Sequence, residues 1–325
     1  MLVLIEVMEM IKQEILNEII PITDEEKSIL NGAGVDKSIY TIHGGNVIRH
    51  KKLLSDGKLI SIRTHTRFTH FPEHTHDYVE AVYMCTGKTT HIINGKKIEL
   101  NEGELLFLGQ NAKQEIMPAG ERDIAVNFII QPAFFDKTLE MLGAEETPIK
   151  SFLLNSLLND QNKGYLHFKV SGVLPVQNLI ENLIWTLINN TSNKRNINQI
   201  TMGLLIMQLI NHTDKLVYES REDAAVMDIF RYIEENYKDG SLTDAARLLH
   251  YDFYWLSHEI KKRTGKTYID HLQEKRLSQA AFLLKNTNLS VEEVAFAVGY
   301  ENKSYFHRLF TEKNGTTPKK YRSVK

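Results

Sequence analysis

In the run HTHDYVE, two imidazoles and a carboxylate, His74, His76 and Glu80, stand at positions of equal parity. Residues of equal parity share one face of an extended strand, so the three side chains can converge inside a β-barrel or sandwich. Such a donor set suits zinc, iron, manganese or nickel. The same residues also serve as polar groups satisfied within a core, or as contacts to a small ligand. Arg63 and His65, two apart on ISIRTHT, together with Tyr83 and Gln114, extend this polar set. Arg63 and His65 share a face, inward or outward.

A second group is basic. Residues 302–325 carry seven Lys and Arg against one acid, Glu312. The net charge of -2 conceals an asymmetry: residues 224–325 hold 17 basic and 13 acidic residues, and residues 1–223 hold 22 and 28. A basic end on an acidic chain suits a polyanionic partner, although a solvated terminus reads the same way.

Elements must position these groups. Between 58 and 131, KLISIRTHTRF, YVEAVYMC, THIINGKKIEL, GELLFLG and IAVNFII read as short strands, with Asn94-Gly95 as a hairpin turn. Short strands at even spacing predict a barrel or sandwich. From about 133 the period becomes helical. PVQNLIENLIWTLINN puts Val176, Leu179, Ile180, Leu183, Ile184 and Leu187 three or four apart, and NINQITMGLLIMQLINH follows as a second helix. The pair is expected to form an antiparallel hairpin whose leftover apolar face packs in the core or against a second copy. The expected class is therefore α+β and multidomain. Its parts are an N-terminal helix and arm (1–57), a barrel (58–131), a helical dimerisation or connector segment (132–213), a linker (214–223) and an all-α C-terminal domain (224–325). The apolar start MLVLIEVMEM lacks a basic leader region and a cleavage site and predicts an amphipathic helix. Cys85 is the single cysteine, which excludes an intrachain disulfide and suits the reducing cytoplasm. No run has the ~18 apolar residues of a membrane span, so a soluble protein is expected.

Within 224–325 the chain repeats itself at an offset of 50. Ala245 pairs with Ala295, Leu248 with Val298, Trp255 with Tyr305, Leu256 with Phe306, Ile260 with Phe310, Gly265 with Gly315 and Thr267 with Thr317. Ser290 with Glu293 forms a capping box before VEEVAFAV, and Gly299 can end that helix in a left-handed turn. His250-Tyr251 stands where the second copy has Gly-Tyr. Helix, turn, helix is thus expected twice, over 242–265 and 291–315. A connecting helix of about 18 residues would span ~27 Å. That approaches the ~34 Å between successive major-groove faces.

The run LSVEEVAFAVGYENKSYFHRLFTEKNGTTPKKYR resembles the AraC/XylS signature, through Ala295, Gly299-Tyr300, Phe306, Arg308, Phe310, Gly315, Pro318, Tyr321 and Arg322. SLTDAARLL and YWLSHEIKKRTG are similar to its first unit. The resemblance implies a sequence-specific regulator that binds double-stranded promoter DNA and contacts RNA polymerase, with each second helix in the major groove. By position in that motif, Asn302, Lys303, Ser304, His307 and Arg308 face base edges, and a bidentate contact is worth about 1–3 kcal/mol of discrimination. The first-unit counterparts are Asp252, Phe253, Tyr254, Ser257 and His258, which suit shape or thymine-methyl readout. Lys261, Lys262, Arg263, Lys266, Lys319, Lys320 and Arg322 are expected at phosphates, which position the protein without specifying sequence.

His74, His76, Glu80 and Gly87 are also similar to the first cupin motif, but Gln114 stands where the second motif would supply histidine. Family members commonly bind a small effector, often a sugar, in such a barrel, and dimerise through nearby helices. The residues implied are Arg63, His65, His74, His76, Glu80, Tyr83 and Gln114. No cofactor is expected; His74, His76 and Glu80 are the candidates if a divalent metal binds. Two rival readings are a barrel that only mediates dimerisation and, from another class, a metal-dependent cupin enzyme, against which Gln114 speaks.

Overall fold

The structure, a computed structural model, describes residues 13–42, 45–141, 164–189, 192–218 and 220–323. The expected helix at 1–10 lies outside them. The chain divides into two compact units, the first ending at Val217 and the second beginning at Tyr218.

In the first unit, helix α1 (Asp24–Leu30) is opened by a Thr23 capping box, in which the Thr23 hydroxyl accepts from Glu26 N. Two sheets follow. The strands are β1 (Val47–Ile48), β2 (Ile60–Thr64), β3 (Phe71–His76), β4 (Val79–Thr86), β5 (Lys88–Ile93), β6 (Lys96–Asn101), β7 (Leu105–Leu108), β8 (Gln114–Ile116), β9 (Ile124–Ile130), β10 (Tyr165–Phe168) and β11 (Leu216–Val217). The first sheet runs β1-β3-β8-β5-β6 and the second β11-β10-β7-β4-β9-β2. Asn94 and Gly95 both take positive φ at the β5–β6 hairpin, as expected.

The sheets reach past the expected 58–131. Strand β1 precedes it, and β10 lies within the stretch expected to be helical, where it pairs β7. Strand β11 pairs β10 inside the expected linker 214–223. One end of the inter-sheet space is packed solid by Val82, Met84, Ile93, Leu100, Leu106 and Leu108. Helices α2 (Leu174–Ile188) and α3 (Lys194–Asn211) form the expected hairpin and bury Val176, Ile180, Leu183 and Ile184.

The second unit is helical: α4 (Arg221–Asn236), α5 (Leu242–Leu248), α6 (Phe253–Thr264), α7 (Tyr268–Asn286), α8 (Val291–Ala297), α9 (Lys303–Asn314) and α10 (Pro318–Ser323). Each second helix of a pair starts on a side-chain cap, Asp252 or Asn302, and ends on a left-handed glycine, Gly265 or Gly315. Leu256, Ile260, Phe306 and Phe310 are buried, and Tyr321 packs edge-on to Phe310.

The repeat carries one inserted residue. Tyr251 N donates to Ala246 O, and Tyr300 N donates to Ala295 O, both at 2.9 Å. Ala246, not Ala245, is therefore the counterpart of Ala295, and Leu249 that of Val298. The offset is one residue shorter over the first helix and turn than over the second helix, because Glu301 has no counterpart.

The turn explains both His250 and Gly299, which hold φ of 57° and 91°. A Cβ on Gly299 would sit 2.2 Å from Lys238 O and 3.1 Å from the Arg276 guanidinium carbon. Arg276 is fixed there by donating to Tyr237 O and Lys238 O. Gly299→Ala is expected to destabilise the second unit by ~2 kcal/mol or more, since backbone clash adds to left-handed strain. His250→Gly should instead be neutral or stabilising. Urea unfolding of both variants checks this; an unchanged midpoint for Gly299→Ala would refute the account of the turn.

Candidate functional site: a polar barrel core and paired helices for a duplex

Strand β3 alternates as expected, with His74 and His76 buried and Glu73 exposed. His74 lies opposite Gln114 in the register with β8. Its Nδ1–H donates to Pro72 O at 2.8 Å. The Gln114 amide bridges His74 Nε2 at 3.2 Å and His91 Nδ1 at 3.1 Å, and His91 Nε2 meets the Thr89 hydroxyl at 2.9 Å.

Across the core, Asn127 on β9 donates to Glu80 Oε1 at 2.9 Å and pairs through Oδ1 with His65 Nδ1 at 2.9 Å. Burial holds these rings neutral: it pulls His74 down to about 4 and His76 to about 3, and lowers His65 and His91 as well. The same desolvation raises Glu80. His65 Nε2, His76 Nδ1 and Glu80 Oε2 are buried with no hydrogen-bond partner. They surround or adjoin a cavity of about 30 Å³, lined among others by Arg63, His65, His74, Glu80 and Asn127. That space holds little more than one water molecule.

A polar knot adjoins the cavity through Arg63 and Tyr40, two of its lining residues. Arg63 Nη2 donates to Glu25 Oε2 and to Tyr40 Oη, each at 2.8 Å, and Tyr40 Oη donates to Glu25 at 2.7 Å. Arg63, His65, His74, His76, Glu80 and Gln114 thus gather in one region. Tyr83 does not: it lies on the other face of β4, its hydroxyl donating to Gln177 Oε1 of α2 at 2.5 Å. Asn127, His91, Glu25 and Tyr40 escape the sequence reading. Asn127 left a signal, being the one polar residue in IAVNFII.

The donor set fits a metal poorly. Both His74 nitrogens are engaged, His76 Nε2 lies 3.7 Å from Glu80 Oε2, and no group of three ligating side chains converges among the described residues.

In the second unit, α9 exposes Lys303, Ser304 and Arg308. Arg308 lies over the Tyr305 ring, 5.4 Å from its centroid, which preorders the guanidinium. Lys303 pairs with Glu292, a contact that a phosphate or base would have to replace. Asn302 caps α9, its Oδ1 accepting from Tyr305 N at 2.9 Å, so only its amide NH2 remains for a duplex. His307 is half-buried, and its Nε2 lacks a partner.

On α6, Asp252 likewise caps the helix, and Tyr254 is 80% exposed beside Phe253, Ser257 and His258. His258 Nδ1 lies 3.2 Å from Glu259 Oε1. Lys261, Lys319 and Lys320 are exposed without an ion pair among the described residues, while Lys262 reaches Glu259 at 3.8 Å and Lys266 pairs with Glu274. Arg263 is held by Asp223 and Glu259, and Arg322 donates to Leu284 O and Leu289 O, so these two brace the fold.

A polar-cored double sheet joined to two capped helix-turn-helix units defines a DNA-binding transcription regulator with a ligand-binding-type sensor domain. Residues 57–210 match the AraC-like ligand binding domain and residues 245–323 a helix-turn-helix domain. The chain belongs to the AraC/XylS family of transcription regulators. The HTH-type transcriptional activator RhaR of Escherichia coli is 23% identical over 291 residues, 87% of this chain and 98% of its own length. ToxT of Vibrio cholerae is similar over 81% of this chain and 97% of its own, at 14% identity and TM-score 0.32. The C-terminal domain of AraT, a response regulator from Geobacillus stearothermophilus, is 32% identical, covering 33% of this chain and 89% of that one, with TM-score 0.31. No helix among the described residues is long and apolar enough to cross a membrane.

Proposed function

We propose that this chain is a cytoplasmic promoter-binding activator, not an enzyme, that contacts RNA polymerase and is controlled by a small polyhydroxylated effector, a carbohydrate, taken into the barrel. The observation that carries the effector reading is the set of partnerless buried atoms, His65 Nε2 and Glu80 Oε2 on residues that line a small cavity, and His76 Nδ1 nearby. Hydroxyls both donate and accept, so a sugar can satisfy an imidazole nitrogen and a carboxylate oxygen together. Entry requires the Arg63–Glu25–Tyr40 knot to part, because ligand pockets ordinarily offer ~300 Å³ or more. Calorimetry of the full chain against a sugar panel tests this. A binder whose affinity survives Glu80→Gln would sink it. The packed apolar end of the barrel and the small cavity favour a second reading, a regulator whose barrel serves assembly alone; failure of the whole panel would favour that one.

The charge and helix arrangement support base readout by α9. Arg308→Ala is expected to relax preference at one base position, costing about 1–3 kcal/mol. Lys319→Ala should weaken all sequences alike and flatten the salt slope by about one unit. Binding assays over a salt series with single-base operator variants separate the two. Equal, sequence-blind losses would remove Arg308 from the readout.

The exposed face of α3, with Ile197, Ile200 and Leu204 each above two-fifths exposed, supports a homodimer. Leu204→Glu is expected to shift the full chain towards monomer in analytical ultracentrifugation. An unchanged sedimentation profile would place the dimer contact elsewhere.

A further inference from the structure

A larger cavity lies outside the barrel, where edge strand β2 runs past the hairpin of α2 and α3. Its volume is about 340 Å³, within the range of small-molecule sites and far above that of the barrel core. Its walls combine apolar surface, Phe134 and Leu187, with three cations, Lys58, Lys194 and Arg195, and contain no acidic side chain. None of these cations has a salt-bridge partner among the described residues. Lys194 donates to Leu187 O at 2.8 Å and Asn189 O at 3.1 Å, which pins it at the closed end of the hairpin. Burial and the neighbouring charge of Lys58 lower its proton affinity, as expected where positive charge lacks a counter-ion.

Two further features point into this space. Lys194 and Arg195 open α3, whose N-cap residue Asn193 makes no side-chain cap, so the first-turn amides add positive potential. Asn198, one turn on, is 1% exposed, lines the cavity, and has an Oδ1 without a partner. A buried amide oxygen left unmatched in a native fold marks a missing hydrogen-bond donor, a role for the ligand's body and not for its carboxylate.

We infer that this cavity is a second ligand site, separate from the barrel, for a small organic anion: a carboxylate on an apolar, aryl-sized body. The carboxylate lies at the α3 N-terminus against Arg195 and Lys58, and the apolar body rests on Phe134 and Leu187. Strand β2 also carries Arg63, the centre of the knot beside the barrel cavity, so an occupant bridging β2 and α3 touches an element that lines the other site.

Calorimetry of the full chain with 4-phenylbutyrate, 4-phenylbutanol and inorganic phosphate tests the assignment. Saturable binding of the carboxylate is expected, with affinity at least tenfold weaker for the alcohol and for phosphate. Arg195→Gln should weaken the carboxylate about tenfold. Glu80→Gln, in the barrel, should leave it unchanged. Circular dichroism melts confirm that each variant is folded. Equal binding of acid and alcohol, loss with Glu80→Gln in place of Arg195→Gln, or no binding of the carboxylate up to its solubility limit would each overturn the site.

Discussion

Glu26→Ala is expected to lower the stability of the first unit by about 3–5 kcal/mol, the usual cost of leaving a buried charge unpaired. Glu26 and Arg67 are each 1% exposed, and their side chains meet twice, Nε to Oε1 at 2.7 Å and Nη2 to Oε2 at 2.9 Å. Arg67 N also donates to Glu26 Oε1 at 3.0 Å. Removing the carboxylate therefore strands a guanidinium that still faces the carbonyls of Ile20 and Glu121, which cannot neutralise it. The double change Glu26→Leu with Arg67→Met should cost less than Glu26→Ala alone, because no charge is left inside. Urea unfolding of the full chain, followed by circular dichroism, reports both. A Glu26→Ala loss below about 1 kcal/mol would mean that water reaches the pair.

This pair bears on function through its neighbour in sequence. Glu26 anchors α1, and Glu25 beside it reaches Arg63, which lines the cavity. One turn of helix thus presents a permanent clasp, sealed from water, and a polar knot open to competition. Arg63, with a side chain 26% exposed, is more open to exchange of its partner than Arg67, which is 1% exposed. The arrangement lets the knot part without unfolding the arm.

What the residues announced in advance depended on whether their chemistry was local. Helix caps and glycine stops are read within four residues, so Ser290-Glu293, Gly265 and Gly315 could be placed from sequence. The inserted Glu301 was hidden because a one-residue slip still superposes apolar positions on an amphipathic helix, and only the turn hydrogen bonds resolve it. The parity of His74 and His76 predicted one face of an extended segment, but the bounds of strand β3 stayed hidden, because FPEHTH is polar and carries proline at its second position. Tyr83 was assignable and misassigned, since it and Glu80 differ in parity and cannot share a face of a regular strand. Glu25 and Tyr40 reach the site from outside the barrel, a proximity that no spacing encodes. Arg322 matches the family pattern yet serves the carbonyls of Leu284 and Leu289, because a motif preserves a residue without revealing what it touches.

Acidification from about pH 7 to about pH 5 is expected to destabilise the first unit steeply. In the folded protein His74 resists protonation to about 4 and His76 to about 3, and His65 and His91 are lowered by the same burial. In the unfolded chain all four rings protonate near ~6.5. Between those limits the unfolded state binds more protons, so stability falls as pH falls, at ~1.4 kcal/mol per pH unit for each ring. Glu80 opposes this: its raised pKa lets the folded protein take up a proton before the unfolded chain does. Glu80 acts alone against these rings and His167, which burial lowers as well, so the net effect of acidification is a loss of stability, drawn on the ~5–15 kcal/mol of an ordinary domain. Thermal melts of the full chain across this range measure it, and His65→Asn should reduce the slope. A melting temperature of the first unit that stays flat from pH 7 to pH 5 would show that the rings are already charged or solvated in the folded state, contrary to the packing of four imidazoles around one buried carboxylate.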